Sequence, residues 1–222
     1  MAKTTRLLVG TKKGLFILEA DGARRAWDVR GPFCEAWPIN HAVGDPATGR
    51  IHAGGGNEWF GPAVWISEDF GETWSHSSAG LAYAEGEEPI RDVWSLAAGH
   101  GALYAGVCPA GLFRSEDGGE SWCHVSGLRD HPTRLDWQPG GAGLILHSIL
   151  LDPDDAAQVW VGMSAVGVFH TADGGDTWEP RNVGTRNDYL PDPYPEIGQC
   201  VHSIALAPGR PGRLYQQNHC GM

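Results

Sequence analysis

Apolar positions along the chain come in short runs bounded by Gly, Pro and Asp, a pattern that predicts strands and tight turns instead of helices. The runs align in columns. One column reads Gly14-Leu-Phe-Ile17, Ala63-Val-Trp-Ile66, Gly111-Leu-Phe-Arg114 and Gly167-Val-Phe-His170. A second ends in glycine: Leu8-Val-Gly10, His52-Ala-Gly54, Tyr104-Ala-Gly106 and Trp160-Val-Gly162. A third reads Asn40-His-Ala-Val43, Val93-Trp-Ser-Leu96, Leu146-His-Ser-Ile149 and Val201-His-Ser-Ile204.

Between these columns stand three nearly identical octapeptides: Ser67-Glu-Asp-Phe-Gly-Glu-Thr-Trp74, Ser115-Glu-Asp-Gly-Gly-Glu-Ser-Trp122 and Thr171-Ala-Asp-Gly-Gly-Asp-Thr-Trp178. Their Trp residues lie 48 and 56 positions apart, and a worn copy, Ala20 to Trp27, places its Trp 47 positions before Trp74. A period near fifty suits one four-stranded propeller blade with a variable loop. With the stretch after each Trp, every unit has four strands, here A to D from the axis outward. The octapeptide predicts a folded hairpin between C and D. Asp69, Asp117 and Asp173 are placed to accept N–H bonds from their own turns, and Ser67, Ser115 and Thr171 to tie off the remaining groups. Gly71, Gly119 and Gly175 supply positive φ, while Trp74, Trp122 and Trp178 anchor the hairpins on the sheet. These acidic residues therefore read as turn formers and not as catalysts.

The three octapeptides resemble the Asp-box, or BNR, repeat of the sialidase-like β-propeller superfamily, which includes sialidases, xyloglucan-degrading glycosidases, sortilin-type receptors and photosystem II assembly-factor-like proteins. A closer resemblance is to bacterial WD40/YVTN/BNR-like repeat proteins. It rests on Asn57-Glu-Trp-Phe-Gly-Pro62, Trp137-Gln-Pro-Gly-Gly141, Leu190-Pro-Asp-Pro-Tyr-Pro-Glu196, Gln199-Cys-Val-His-Ser203 and Leu214-Tyr-Gln-Gln-Asn-His219. It implies an all-β propeller of four-stranded antiparallel blades and says little about function, because sites are grafted onto folds.

The strand order gives about four and a half blades, near residues 6–36, 37–80, 90–128, 144–184 and an incomplete 198–222. The first unit opens on strand B and the last stops after strand B. The expectation is an incomplete ring, truncated at its C-terminal end, with unpaired edges at Arg6–Gly10 and Arg213–Gln217. Composition narrows the partners. The 16 basic and 27 acidic residues give a net charge of −11, which repels phosphate backbones and argues against nucleic acid. No apolar run is long enough for a helical membrane span. Five Cys without a Cys-x-x-Cys pair, and a start too polar for a signal peptide, predict a reducing, cytoplasmic setting.

In an A-to-D blade the B–C and D–A loops share one face, opposite the Asp-boxes. That face carries the long connections 75–92, 123–145 and 179–200, and loops of such length are commonly functional. It also receives a His column, His41, His147 and His202, with Trp94 in the remaining blade, and the B–C loop residues Asn57, Glu58, Trp59, Asn218 and His219. These residues, with Trp137 and the Tyr189–Glu196 loop as rim, form the candidate ligand-binding face. His41, His147, His202 and His219 are candidates for a transition-metal site at the channel mouth. The alternative for each His is a hydrogen bond to the neighbouring blade.

Three functions remain open. A binding propeller would present exposed Trp and Tyr to carbohydrate or protein. A sialidase-like glycosidase would need an acid/base carboxylate, for which Glu58, Asp136 and Glu196 are candidates, and a nucleophile such as Tyr189 or Tyr194. The resemblance also implies an Arg-Ile-Pro motif in sialidases, and Arg30-Gly31-Pro32 does not match it. An assembly-factor-like scaffold would bind protein without turnover. Nucleophile-elbow, phosphate-loop and dinucleotide signatures are absent.

Overall fold

The computed structural model describes residues 4–57, 59–210 and 212–222, and its described residues form seventeen strands in five antiparallel sheets wound in chain order. Blade 1 holds β1 (Thr5–Thr11), β2 (Gly14–Ala20) and β3 (Asp28–Phe33). Blade 2 holds β4 (Ile39–Gly44), β5 (Ile51–Asn57), β6 (Gly61–Ser67) and β7 (Ser75–Ser77). Blade 3 holds β8 (Asp92–Gly99), β9 (Ala102–Cys108), β10 (Leu112–Ser115) and β11 (Cys123–His124). Blade 4 holds β12 (Leu146–Leu151), β13 (Val159–Met163), β14 (Gly167–Thr171) and β15 (Glu179–Pro180), and blade 5 holds β16 (Val201–Leu206) and β17 (Leu214–Asn218). The architecture is a partial β-propeller of four and a half blades. Among the described residues β1 is hydrogen-bonded only to β2 and β17 only to β16. Among the described residues the helical ones are Ser126–Arg129 and the tight turn Arg134–Asp136, both in the connection from blade 3 to blade 4.

The repeated glycine of strand B sets how closely blades approach. A Cβ on Gly54 would lie 2.5 Å from Val93, one on Gly106 2.5 Å from Leu146, and one on Gly162 2.8 Å from Val201. On Gly10 it would lie 2.5 Å from the Ile39 carbonyl oxygen. Each glycine thus admits the inner strand of the next blade, which any larger residue would push outward. Every inner strand carries a β-bulge immediately after that contact, at Ile39/His41, Val93/Ser95, Leu146/Ser148 and Val201/Ser203. The unpaired bulge residues are therefore Asn40, Trp94, His147 and His202.

Hydrophobic burial is concentrated in the seams between blades. One cluster joins blades 1 and 2 through Ile17, Trp37, Ile39 and Trp65, and a second joins blades 2 and 3 through Val64, Val93 and Phe113. The largest joins blades 3 and 4 through Leu112, Leu146, Met163, Phe169 and Trp178. Val168, Val201 and Ile204 form a smaller seam between blades 4 and 5. Burying one such side chain contributes about 1.5–3 kcal/mol, so neighbouring blades stabilise one another.

Candidate functional site

The Asp-box end closes on itself. Asp69 Oδ1 accepts the N–H groups of Glu72 and Thr73 at 3.0 and 2.9 Å, and Oδ2 accepts the Thr73 hydroxyl at 2.6 Å. Ser67 Oγ donates to Asp69 at 2.9 Å and accepts the Gly71 N–H at 2.8 Å. Asp117 takes the Ser121 N–H and hydroxyl, and Asp173 those of Thr177, in the same arrangement. The Thr73 hydroxyl and N–H hold the Asp69 carboxyl down at about 2. The Ser121 hydroxyl depresses Asp117 and the Thr171 hydroxyl Asp173 in the same direction. Each carboxylate is consumed by its own hairpin, as the spacing implies.

At the opposite end the bulges aim side chains out of the sheets. His147 stacks edge-on to Trp94 at 5.6 Å between ring centroids and lies 5.8 Å from His202. His202 and His219 meet at 3.1 Å between their Nε2 atoms, and Cys200 Sγ is 3.8 Å from His202 Nε2. The Tyr189 ring stands 5.7 Å from that of His219. Burial holds His147 below the ordinary imidazole range, with the neighbouring His202 adding to the shift. His202 moves in the same direction through desolvation and then through His219. A continuous aromatic row thus runs from blade 3 to the turn after β17.

The loop that carries Tyr189 is pinned from inside. Asn182 donates to the Glu196 carbonyl at 2.8 Å and accepts the Val168 N–H at 2.8 Å. Asn187 donates to the Gly198 carbonyl at 2.8 Å and accepts the Tyr189 N–H at 2.8 Å. Gln199, which is buried, donates to the carbonyls of Thr185 and Pro195. Three buried amides therefore fix a segment that forms no strand of its own.

Several expected site residues take other roles. His41 does not occupy the column: the bulge residue of blade 2 is Asn40, and His41 is the counterpart of Ser95. His41 Nδ1 accepts the Leu96 N–H at 3.1 Å, which ties blade 2 to blade 3. Matching His41 to His147 and His202 sets blade 2 one residue out of step, since the bulge falls at the same place in every inner strand and Ile39-Asn40-His41 stands opposite Val93-Trp94-Ser95. Asn57 and Asn218 are turn formers, because Asn57 Oδ1 accepts the N–H groups of Trp59 and Phe60 and Asn218 Oδ1 that of Cys220. Trp137 is no rim residue. It is only 4% exposed, packs between His131 and Phe169, and donates Nε1–H to Thr133 Oγ1 at 3.0 Å. Asp136 and Glu196 are exposed, and their carboxylates have no ion-pair or hydrogen-bond partner among the described residues. Glu58 lies outside the described residues.

Trp59 is 88% exposed and Phe60 71% exposed. Phe60 lies over Trp37 at 5.4 Å and 13° between planes, on the blade 2 side of the face. The expected single site is thus two groups, an aromatic pair on blade 2 and the histidine row on blades 3 to 5. Cys200, Phe60 and the pinning amides escaped the sequence reading. The Cys200-x-His202 spacing at a strand start was the available signal, since alternate strand residues share a face.

A BNR/Asp-box repeat model matches residues 65–76, which span the first octapeptide. The oligoxyloglucan-reducing end-specific xyloglucanase of Emericella nidulans is 33% identical over 78 residues, 35% of this chain and 9% of that enzyme. The solved GH74 xyloglucanase of Xanthomonas campestris superposes with a TM-score of 0.61 at 20% identity, covering 91% of this chain and 30% of that one. YCF48 from Cyanidioschyzon merolae aligns with a TM-score of 0.49 at 12% identity, over 92% of this chain and 61% of its own. The chain therefore spans less than a third of either xyloglucanase. The described residues include no helix long and apolar enough to cross a membrane.

Proposed function

We propose that this Asp-box β-propeller is a binding module that takes a carbohydrate on its loop-rich face. The observation that carries the reading is the pair Trp59 and Phe60, two large rings held out to solvent on a turn already fixed by Asn57. Phe60 is further set by its stack on Trp37. A ring that is immobile before binding loses little entropy on contact, and its face suits the C–H surface of a pyranose. Partial similarity to a xyloglucanase makes β-glucan oligosaccharides the first ligands to test.

A hydrolase would need two carboxylates facing each other across the scissile bond, at roughly 5–9.5 Å depending on stereochemistry. Asp136 and Glu196 project from separate loops, and Tyr189 stands against His219. Calorimetry with a panel of xyloglucan and β-glucan oligosaccharides tests the proposal. The expected result is saturable binding, lost at least tenfold in a Trp59→Ala/Phe60→Ala variant of unchanged melting temperature. Absence of binding across the panel overturns the carbohydrate reading, and release of reducing ends in the same samples would establish a hydrolase instead.

A further inference from the structure

We propose that Cys200, His202 and His219 form a zinc-type metal site, with three protein ligands and one open position. The three ligand atoms lie within 4.8 Å of one another. Tetrahedral zinc, with Zn–N near 2.0–2.1 Å and Zn–S near 2.3 Å, separates two nitrogen ligands by roughly 3.3 Å and nitrogen from sulfur by roughly 3.6 Å. The observed Nε2–Nε2 separation is 3.1 Å and the Sγ–Nε2 separation 3.8 Å. Both edges that meet at His202 Nε2 thus lie about 0.2 Å from the tetrahedral value, a difference that small side-chain rotations remove.

The backbone prepares this arrangement. Val201 pairs with Asn218 across β16 and β17, so the residues flanking Val201 and the one following Asn218 are brought together by the sheet itself. The bulge at His202 turns its ring toward the turn, and Asn218 Oδ1 holds that turn closed through the Cys220 N–H at 2.8 Å. Ser164 Oγ lies 3.6 Å from Cys200 Sγ, where its hydroxyl can donate to a thiolate. The chemistry of the donors agrees. Two facing Nε2 atoms satisfy each other only if one carries a proton, whereas a cation accepts a lone pair from both. One thiolate with two neutral imidazoles is a borderline-soft set, matched to Zn²⁺ and poorly matched to Mg²⁺ or Ca²⁺. The site is separate from the Trp59–Phe60 pair and does not depend on the carbohydrate reading.

Cobalt substitution tests it. The chain is stripped with chelator and titrated with Co²⁺, then with Zn²⁺. One cobalt per chain is expected, with a thiolate-to-cobalt charge-transfer band and the strong visible absorption of a four-coordinate ion, both removed by stoichiometric zinc. Cys200→Ser should abolish the charge-transfer band, and His219→Ala, an exposed turn position, should weaken metal binding at least tenfold. His147→Gln and Cys220→Ser should retain the full spectrum. A thermal melt confirms that each variant is folded; should Cys200→Ser unfold, His219→Ala carries the test. No cobalt spectrum in the unaltered chain, or a charge-transfer band that survives Cys200→Ser, overturns the proposal.

Discussion

At the Asp-box end of blades 2, 3 and 4, three hairpins repeat the same hydrogen bonds, all made within eight residues of sequence. At the other end no two connections are alike, and the polar groups that fix them act over longer distances. Asn182 reaches the Glu196 carbonyl, Gln199 that of Thr185, and His41 a strand of the next blade. The first end is a local structure copied. The second is a set of individual solutions, and it carries the exposed loop aromatics Trp59, Phe60, Tyr189 and Tyr194 and the cysteine–histidine cluster.

The seams that hold both ends in register should show the largest effect. Phe169 is fully buried between Trp137 and His131 in the seam of blades 3 and 4. Phe169→Ala is expected to cost about 3–5 kcal/mol, measured as a fall in the urea midpoint. A loss below about 1 kcal/mol would mean that blades 3 and 4 are not coupled through this ring.

Next come two substitutions of similar cost and different reach. Ser115→Ala leaves the buried Gly119 N–H unpaired, and Asn182→Ala leaves the Val168 N–H unpaired, each at about 1–3 kcal/mol. The first should lower global stability while proteolysis of the loops stays unchanged. The second should in addition expose the 183–198 segment to limited proteolysis. Equal proteolytic patterns would erase the distinction between local and long-range fixation.

The pH dependence should separate in the same way. His52, buried in the seam of blades 2 and 3, donates Nε2–H to the Gly118 carbonyl at 2.8 Å, and burial pushes its pKa below the ordinary 6.5. The unfolded chain then binds this proton at higher pH than the folded one, so stability is complete above 6.5 and falls as the pH drops through it. His52→Gln should flatten that slope. The Asp-box carboxylates act lower. Their folded pKa values lie below the ordinary 3.8, near 2 for Asp69, so their contribution is present above 3.8 and is lost as the pH falls toward 2. Asp69→Asn should remove part of this second loss and leave the first intact.

The smallest effect on stability belongs to the exposed rings. Trp59→Ala should change the unfolding free energy by no more than about 0.5 kcal/mol, measured by denaturant titration, because its ring is almost wholly in solvent. A larger loss would show that Trp59 packs as a structural residue and would weaken its role as a ligand platform.

The blade is written in local chemistry. Ser-x-Asp-x-Gly-x-Thr-Trp needs no partner outside its own hairpin, so its structure is legible wherever it occurs. The seventeen strands, the order of the sheets and the two faces followed from its spacing and from the apolar columns. The column glycines were visible too, although their reason, close approach of the next inner strand, is a contact between blades. The remainder depends on contacts between strands and blades. Whether Asn40 or His41 stands at the bulge is decided by how β4 pairs with β5, and a one-residue shift reassigns every neighbouring side chain. Trp137 read as a loop aromatic, but packing against Phe169 took it into the core. Cys200, His202 and His219 converge because β16 pairs with β17 in one register, and register is a property of two strands together that neither carries alone.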